Sequence, residues 1–304
     1  MERWRIRNGI LSLLSRIPAG ENLYQIMQKY FGQFNNENFI RNKIREISEF
    51  IAVGLRNGAL IEGANIVELG TGWVPLAPIL FSLYGAEKVI SIDIHSYYIH
   101  SLLVKTTRIL IDELNNISPA QVSADKYDLL KNNYDKPAHL LESMNIRMFS
   151  PLDARKTRFP DNMFDLYYSI DTLEHIPLED LKSIFQESIR IVKPGGIFLH
   201  SIDLADHFSY TDKDISSINF LCYSSQEWTR LCNEYAYHNR LRKNEYETII
   251  HNSNLKIIGI IEEIDQRALD DLKNGFQVHD DYVGEKHEEL CGNRLTYLLT
   301  SAIC

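Results

Sequence analysis

Two glycines, Gly70 and Gly72, stand between the apolar run Asn65-Ile66-Val67-Glu68-Leu69 and a second apolar stretch that begins at Val74. Asp93 closes a further apolar run, Val89-Ile90-Ser91-Ile92, about twenty residues on. Glycine at a strand-to-helix turn lets the backbone bend sharply and approach a ligand with no Cβ in between. A carboxylate ending the next strand can accept hydrogen bonds from both hydroxyls of a ribose. Together these residues predict a nucleoside site. A pyrophosphate loop would carry a third glycine where this chain has Pro75. Proline suits the first turn of a helix but removes an N–H that a pyrophosphate would use.

A second concentration of reactive side chains lies further along. His175 follows the run Phe164–Ile170, and His200, Asp203, Asp206 and His207 crowd the end of the run that starts at Ile197. Imidazole is the side chain best suited to taking a proton near neutral pH, so His175 and His207 are the candidate bases, with Asp206 orienting His207. Asp203, Asp206, His200 and His207 are metal-ligating types. Their spacing is no recognised ligand set, and no metal is expected. Arg240 and Arg242 present forks that suit a carboxylate or phosphate, which makes them candidates for gripping an anionic small molecule.

The elements that must position these residues alternate. Ile66–Leu69, Lys88–Ile92, Ile146–Phe149, Phe164–Ile170, the run from Ile197, Leu255–Ile264 and Arg294–Ser301 read as strands, with helices at Pro75–Leu83, Ile99–Leu114 and Asn244–Ser253. Pro194-Gly195-Gly196 turns the chain into the fifth strand. A polar stretch, 115–136, is expected on the surface. Residues 1 to about 60 carry helical periodicity, as in Ile40, Ile44, Ile47, Ile51 and Leu55, with Tyr24, Tyr30 and Phe31 placed to line a cleft. The connection after strand five, about 203–243, is long and holds Phe220, Tyr223, Trp228, Tyr235 and Tyr237, which marks a binding loop or lid.

Glu68, Gly70 and Gly72 resemble motif I of the class I S-adenosylmethionine-dependent methyltransferases, where an acidic residue precedes a Gly-x-Gly turn. Asp171-Thr172-Leu173-Glu174-His175-Ile176 resembles the segment after strand four in the small-molecule members. The resemblance implies a Rossmann-like, mostly parallel seven-stranded α/β sheet whose last strand is antiparallel. It implies a helical cap over 1–61 and a methyltransferase domain over 62–304, with an acceptor-side insertion at about 203–243. It also implies that Glu68, Gly70, Thr71, Gly72, Asp93, Ile94, Asp153, Ala154, Ser169 and Ile170 surround S-adenosylmethionine, with Asp153 toward the adenine amino group. Glu174, Asp203, Tyr223, Arg240 and Arg242 are expected on the acceptor side. The function expected is methyl transfer to a small molecule, on a hydroxyl or carboxyl oxygen. N-methylation, nicotinamide-dependent oxidoreduction and silent S-adenosylmethionine binding are the other readings that the residues leave open.

The formal charge of −9 over 304 residues argues against a nucleic-acid partner. Cys222, Cys232, Cys291 and Cys304 have no paired-ligand spacing, as expected of reduced thiols in a cytoplasmic protein. No stretch is long enough for stable membrane insertion. The basic, amphipathic N-terminus and the aromatic insertion are the segments available for a homodimer contact or a membrane-surface contact.

Overall fold

A computed structural model describes residues 3–116 and 122–302. Helices α1 (Arg3–Leu14), α2 (Gly20–Phe31) and α3 (Glu37–Arg56) precede the first strand. Then come β1 (Asn65–Leu69), α4 (Leu76–Leu83), β2 (Lys88–Ile92), α5 (His100–Asn116), α6 (Ala124–Asn133), α7 (Pro137–Ser143), β3 (Ile146–Phe149), β4 (Phe164–Ile170) and α8 (Leu178–Ile191). The chain ends with β5 (Val192–Asp203), α9 (Ser225–Leu231), α10 (Lys243–Asn252), β6 (Leu255–Ile264), α11 (Gln266–Lys273), α12 (His287–Leu290) and β7 (Gly292–Ser301).

The seven strands form one sheet in the order β3-β2-β1-β4-β5-β7-β6. Pairing is parallel from β3 to β5, and β7 runs antiparallel between β5 and β6. The central strands are apolar on both faces because helices cover both. One face packs Ile66 and Tyr168 under α3, α4 and α5, and the other packs Val67, Tyr167 and Phe198 under α8 and α10. Order reverses between β1 and β4, where open α/β sheets bind ligands at the carboxyl ends of the strands. Register between β4 and β5 jumps from Phe164↔Val192 to Leu166↔Ile197, so the Pro194-Gly195-Gly196 turn is an irregularity inside β5 rather than a lead into it.

A third core joins Trp4 of α1 to Phe208, Phe220 and Trp228 of the insertion and to Leu269 of α11. Phe208, Phe220 and Trp228 of the insertion are therefore packed inward. The outer sides of α1 and α2 leave Ile6, Ile10, Leu13, Ile26 and Phe31 exposed. The polar stretch contains α6, which the periodicity missed because only Leu130 and Asn133 of that helix are buried. Among the described residues no helix is long and apolar enough to cross a membrane, and Cys232 and Cys291 are free thiols. Cys304 lies outside the described residues.

Candidate active site

The turn after β1 sets the first half of the site. Gly70 and Gly72 both have positive φ, 92° and 61°, a region costly for residues with a Cβ. A Cβ on Gly70 would lie 2.3 Å from Thr172 Oγ1, whereas one on Gly72 would meet nothing within 4 Å. Gly70 thus lets the turn after β1 pack against the segment after β4, and Gly72 leaves open space for a ligand. Thr71 Oγ1 lies 2.5 Å from Ser91 Oγ, tying the turn to β2.

Asp93 lies beside this turn because Leu69 pairs with Ile92. Its Oδ2 accepts from Gly72 N at 3.0 Å and its Oδ1 from His95 N at 2.9 Å, which leaves further lone pairs on each oxygen. Ile94, next along, is 58% exposed, an uncovered apolar side chain at the rim. The loop after β3 reaches the same rim, with Leu152 N donating to Asp93 O at 2.8 Å. Ala154 is buried there, while Asp153 is gripped by Arg155 Nε at 3.0 Å and Nη2 at 2.7 Å. Hydrogen bonding from Arg155 holds its carboxyl below the usual range.

Glu68 lies under the turn, not in the cleft. It is 4% exposed and accepts a hydrogen bond from Ser91 Oγ. Burial pushes its pKa up to about 8, and the bond from Ser91 offsets only part of that rise. A raised folded pKa means the fold retains a proton that the unfolded chain has lost. That contribution is complete below the unfolded value and fades as pH climbs through about 8. Glu68→Gln, which mimics the protonated acid, is therefore expected to raise the melting temperature more at pH 8 than at pH 5. Equal shifts at the two pH values would contradict this assignment.

Ser169 and His200 do not reach the site. Ser169 Oγ and His200 Nδ1 are 2.8 Å apart, both fully buried, on the side of the sheet where Phe185 of α8 packs. Desolvation draws the His200 pKa down to about 3, so the ring is a neutral core residue. Strand alternation puts Ile170 on the opposite face, half-buried against the α4 side.

The segment after β4 forms the second half. Asp171 has φ of 50° and its carboxylate lies 2.5 Å from both Lys43 Nζ of α3 and Arg294 Nη1 of β7. His175 sits in the short turn that follows, its Nδ1 2.8 Å from Tyr237 O. A carbonyl only accepts, so Nδ1 carries the hydrogen and Nε2 the lone pair in the neutral ring. Part of the ring is open to solvent, yet desolvation first and His207 second lower its pKa to about 4. The rings of His175 and His207 are 5.0 Å apart, and His238 lies 4.8 Å from His207.

The carboxylate beside His207 is Asp203, not Asp206. His207 Nε2 is 3.3 Å from Asp203 Oδ2, and Tyr210 Oη donates to the same oxygen at 2.5 Å. Asp206 instead starts a helical turn, accepting from Phe208 N at 2.9 Å and Asn219 Nδ2 at 3.0 Å. Glu174 is wholly buried, its Oε1 3.4 Å from Asp203 N. Burial, with Asp171 and Asp203 adding, raises its pKa well above the usual carboxyl range.

Arg240 and Arg242 are not an anion grip. Arg240 Nη1 donates to Phe220 O at 2.9 Å and Tyr223 O at 2.7 Å, and Arg242 Nη2 to Leu204 O at 2.7 Å. Both are about 5% exposed, and their donors satisfy carbonyls that the irregular insertion leaves without partners. Tyr223 joins α1 to the insertion through Arg5 Nη2 at 2.8 Å from its hydroxyl. Sequence reasoning missed Lys43, Arg294 and His238. Only the invisible juxtaposition of distant segments gives them a place here.

The rim is covered by two stacked ring pairs that meet edge-on. Trp73 lies 4.7 Å from Tyr97, and Tyr24 of α2 lies 4.3 Å from Tyr235 of the insertion and 5.5 Å from Trp73. Tyr30 and Phe31, expected beside Tyr24, are exposed instead. Next to this stack, a cleft of about 570 Å³ opens between α2 and the start of α5, lined by Asn22, Ile26, Lys29 and Tyr98.

Residues 115–200 match the family described as Methyltransferase domain. The glycine turn after β1 precedes the matched segment. The PH0226 protein of Pyrococcus horikoshii OT3 shares the fold with a TM-score of 0.51 and 14% identity, over 90% of this chain and 97% of that one. Sterol 24-C-methyltransferase of Aspergillus fumigatus is 44% identical over 46 residues, 15% of this chain and 12% of that protein. Phosphoethanolamine N-methyltransferase 3 of Arabidopsis thaliana is 27% identical over 154 residues, 51% of this chain and 29% of that protein. The matched segments thus span less than a third of these curated relatives. The chain thus carries a segment that matches a methyltransferase domain, on a fold that it shares with the PH0226 protein.

Proposed function

We propose that this chain transfers a methyl group from S-adenosylmethionine to a hydroxyl oxygen of a small molecule. The observation that carries the cofactor assignment is the open, positive-φ Gly72 beside Asp93, with exposed Ile94 at the same rim. Asp93 would hold the ribose, Ile94 would cover one face of the base, and the loop at Asp153 and Ala154 would close the adenine end. The bound cofactor supplies an electrophilic methyl on a sulfonium. The protein's part is mainly positional: to hold the acceptor oxygen in line with that methyl and exclude water. Trp73, Tyr24 and Tyr235 are placed to shut the rim, so α2 and the insertion form the acceptor-side lid.

The preference for oxygen rests on His175. Its tautomer is fixed by Tyr237 O, which leaves Nε2 as an acceptor for a hydroxyl proton. The curated relatives' names cover a sterol and phosphoethanolamine, which supports a small acceptor without choosing the atom methylated. A labelled-methyl screen over alcohols, phenols and amines tests the proposal. With an oxygen acceptor, His175→Ala should lower kcat by about 10²–10⁴-fold and leave S-adenosylhomocysteine affinity intact. Turnover of amines alone, or unchanged kcat in the variant, would overturn it.

A further inference from the structure

We propose that Glu174, His175 and His207 form a binding site for a borderline first-row divalent cation of the zinc kind. One ligand atom from each of the three lies within 4.8 Å of the others. Bonds of about 2.1 Å at tetrahedral angles put donors about 3.4 Å apart, so the site must contract by roughly an ångström, within reach of side-chain rotation. Two imidazoles and a carboxylate are a donor set that zinc accepts with one position left open, and the mixed nitrogen and oxygen character disfavours magnesium or calcium.

Independent features point to a missing ligand. Glu174 is 0% exposed, yet its Oε2 has no hydrogen-bond partner among the described residues. The nearby cations Lys43 and Arg294 are directed to Asp171 and Glu46 instead. A buried carboxylate oxygen without a donor is costly, and a cation removes that cost. His207 Nε2 is likewise without a hydrogen bond, being near Asp203 Oδ2 but out of line with it. His238, packed against His207, has a second unpartnered nitrogen, Nε2.

The surroundings have the form of a metal site's outer shell. A metal-bound histidine usually gives its other N–H to a carbonyl or carboxylate, as His175 Nδ1 does to Tyr237 O at 2.8 Å. Asn239 fixes the turn that carries Glu174 and His175, its N donating to Glu174 O at 2.8 Å and its Nδ2 to Leu173 O at 2.9 Å. Asp203, held by Tyr210, adds negative charge beside His207 Nε2. The inference rests on this cluster alone. A bound cation would occupy the Nε2 lone pair of His175, so the loaded site and proton acceptance by that nitrogen exclude each other. Zinc is therefore expected to inhibit turnover that depends on it.

Chelator-treated full-length protein titrated with Zn²⁺ by calorimetry, and with Co²⁺ by visible absorption, tests it. One equivalent should bind, with cobalt giving the ligand-field bands of a low-coordinate site. Glu174→Gln and His207→Ala should each weaken binding by at least about a hundredfold, while both variants keep the wild-type circular dichroism. The near-isosteric glutamine change provides the reading if the alanine change impairs folding. No saturable binding by wild type, or undiminished binding in Glu174→Gln, would overturn the assignment.

Discussion

Gly70→Ala is expected to cost about 2–5 kcal/mol of stability and to abolish binding of S-adenosylmethionine. Two terms add: about 1–2 kcal/mol for an alanine in the left-handed region, and about 1–3 kcal/mol for overpacking. The overpacking is directional. The new Cβ would stand 2.3 Å from Thr172 Oγ1 and 2.7 Å from its Cγ2, and Thr172 is fixed by its own hydrogen bond to Ile170 O at 3.1 Å. Rotating the threonine away sacrifices that bond, and moving the turn shifts the residues that face the ligand. Gly72→Ala is the built-in comparison, with φ of 61° and no neighbour within 4 Å. It should lose only the conformational part, about 1 kcal/mol, when both are unfolded in urea. Equal losses would show that the contact between the turn and Thr172 is misassigned.

Asp171→Asn should lower stability by about 2–4 kcal/mol, toward the smaller end of what breaking a buried ion pair costs. Asparagine tolerates the positive φ of this position, so the change isolates the charge. Lys43 and Arg294 would lose their shared carboxylate and keep Glu46, which each contacts at 3.0 Å, with Arg294 Nη1 also donating to Ser201 Oγ at 2.8 Å. The clamp joins α3 to the ends of β4 and β7, directly before the turn bearing Glu174 and His175. Burial alone would raise the pKa of Asp171, but Lys43 and Arg294 outweigh it and hold it low. A lowered folded pKa contributes stability above the unfolded carboxyl value of about 4, and that contribution is lost as pH falls through the folded value. The gap between wild type and variant should therefore be full at neutral pH and close in strong acid. A gap independent of pH would mean that the loss is steric.

The strands were legible because their apolar runs are continuous and end in turn residues. Lys88–Ile92, Ile146–Phe149 and Phe164–Ile170 are strands over the residues expected. The turn at Gly70 and Gly72 and its neighbour Asp93 were legible for the same reason, since these residues follow directly from strand ends. The arrangement around His175 and His207 depends on how loops fold back. Asp206 and Asp203 are three residues apart, and only the turn that Asp206 starts decides which meets His207. Arg240 and Arg242 read as an anion grip because no pattern records the open carbonyls of Phe220 and Leu204 that capture them. Ser169 was assigned by its place at a strand end, and the pleat turned its side chain to the other face.

The most direct measurement is calorimetric titration with S-adenosylmethionine and S-adenosylhomocysteine, with NAD as control, on wild type and Asp93→Ala. Asp93 meets the turn through Gly72 N and leaves lone pairs for a ribose. Micromolar binding of the first two ligands by wild type, lost in the variant without loss of fold, is the result expected. Binding of NAD alone, of none of the three, or of S-adenosylmethionine equally by both proteins would contradict the placement of the cofactor at the carboxyl ends of β1 and β2.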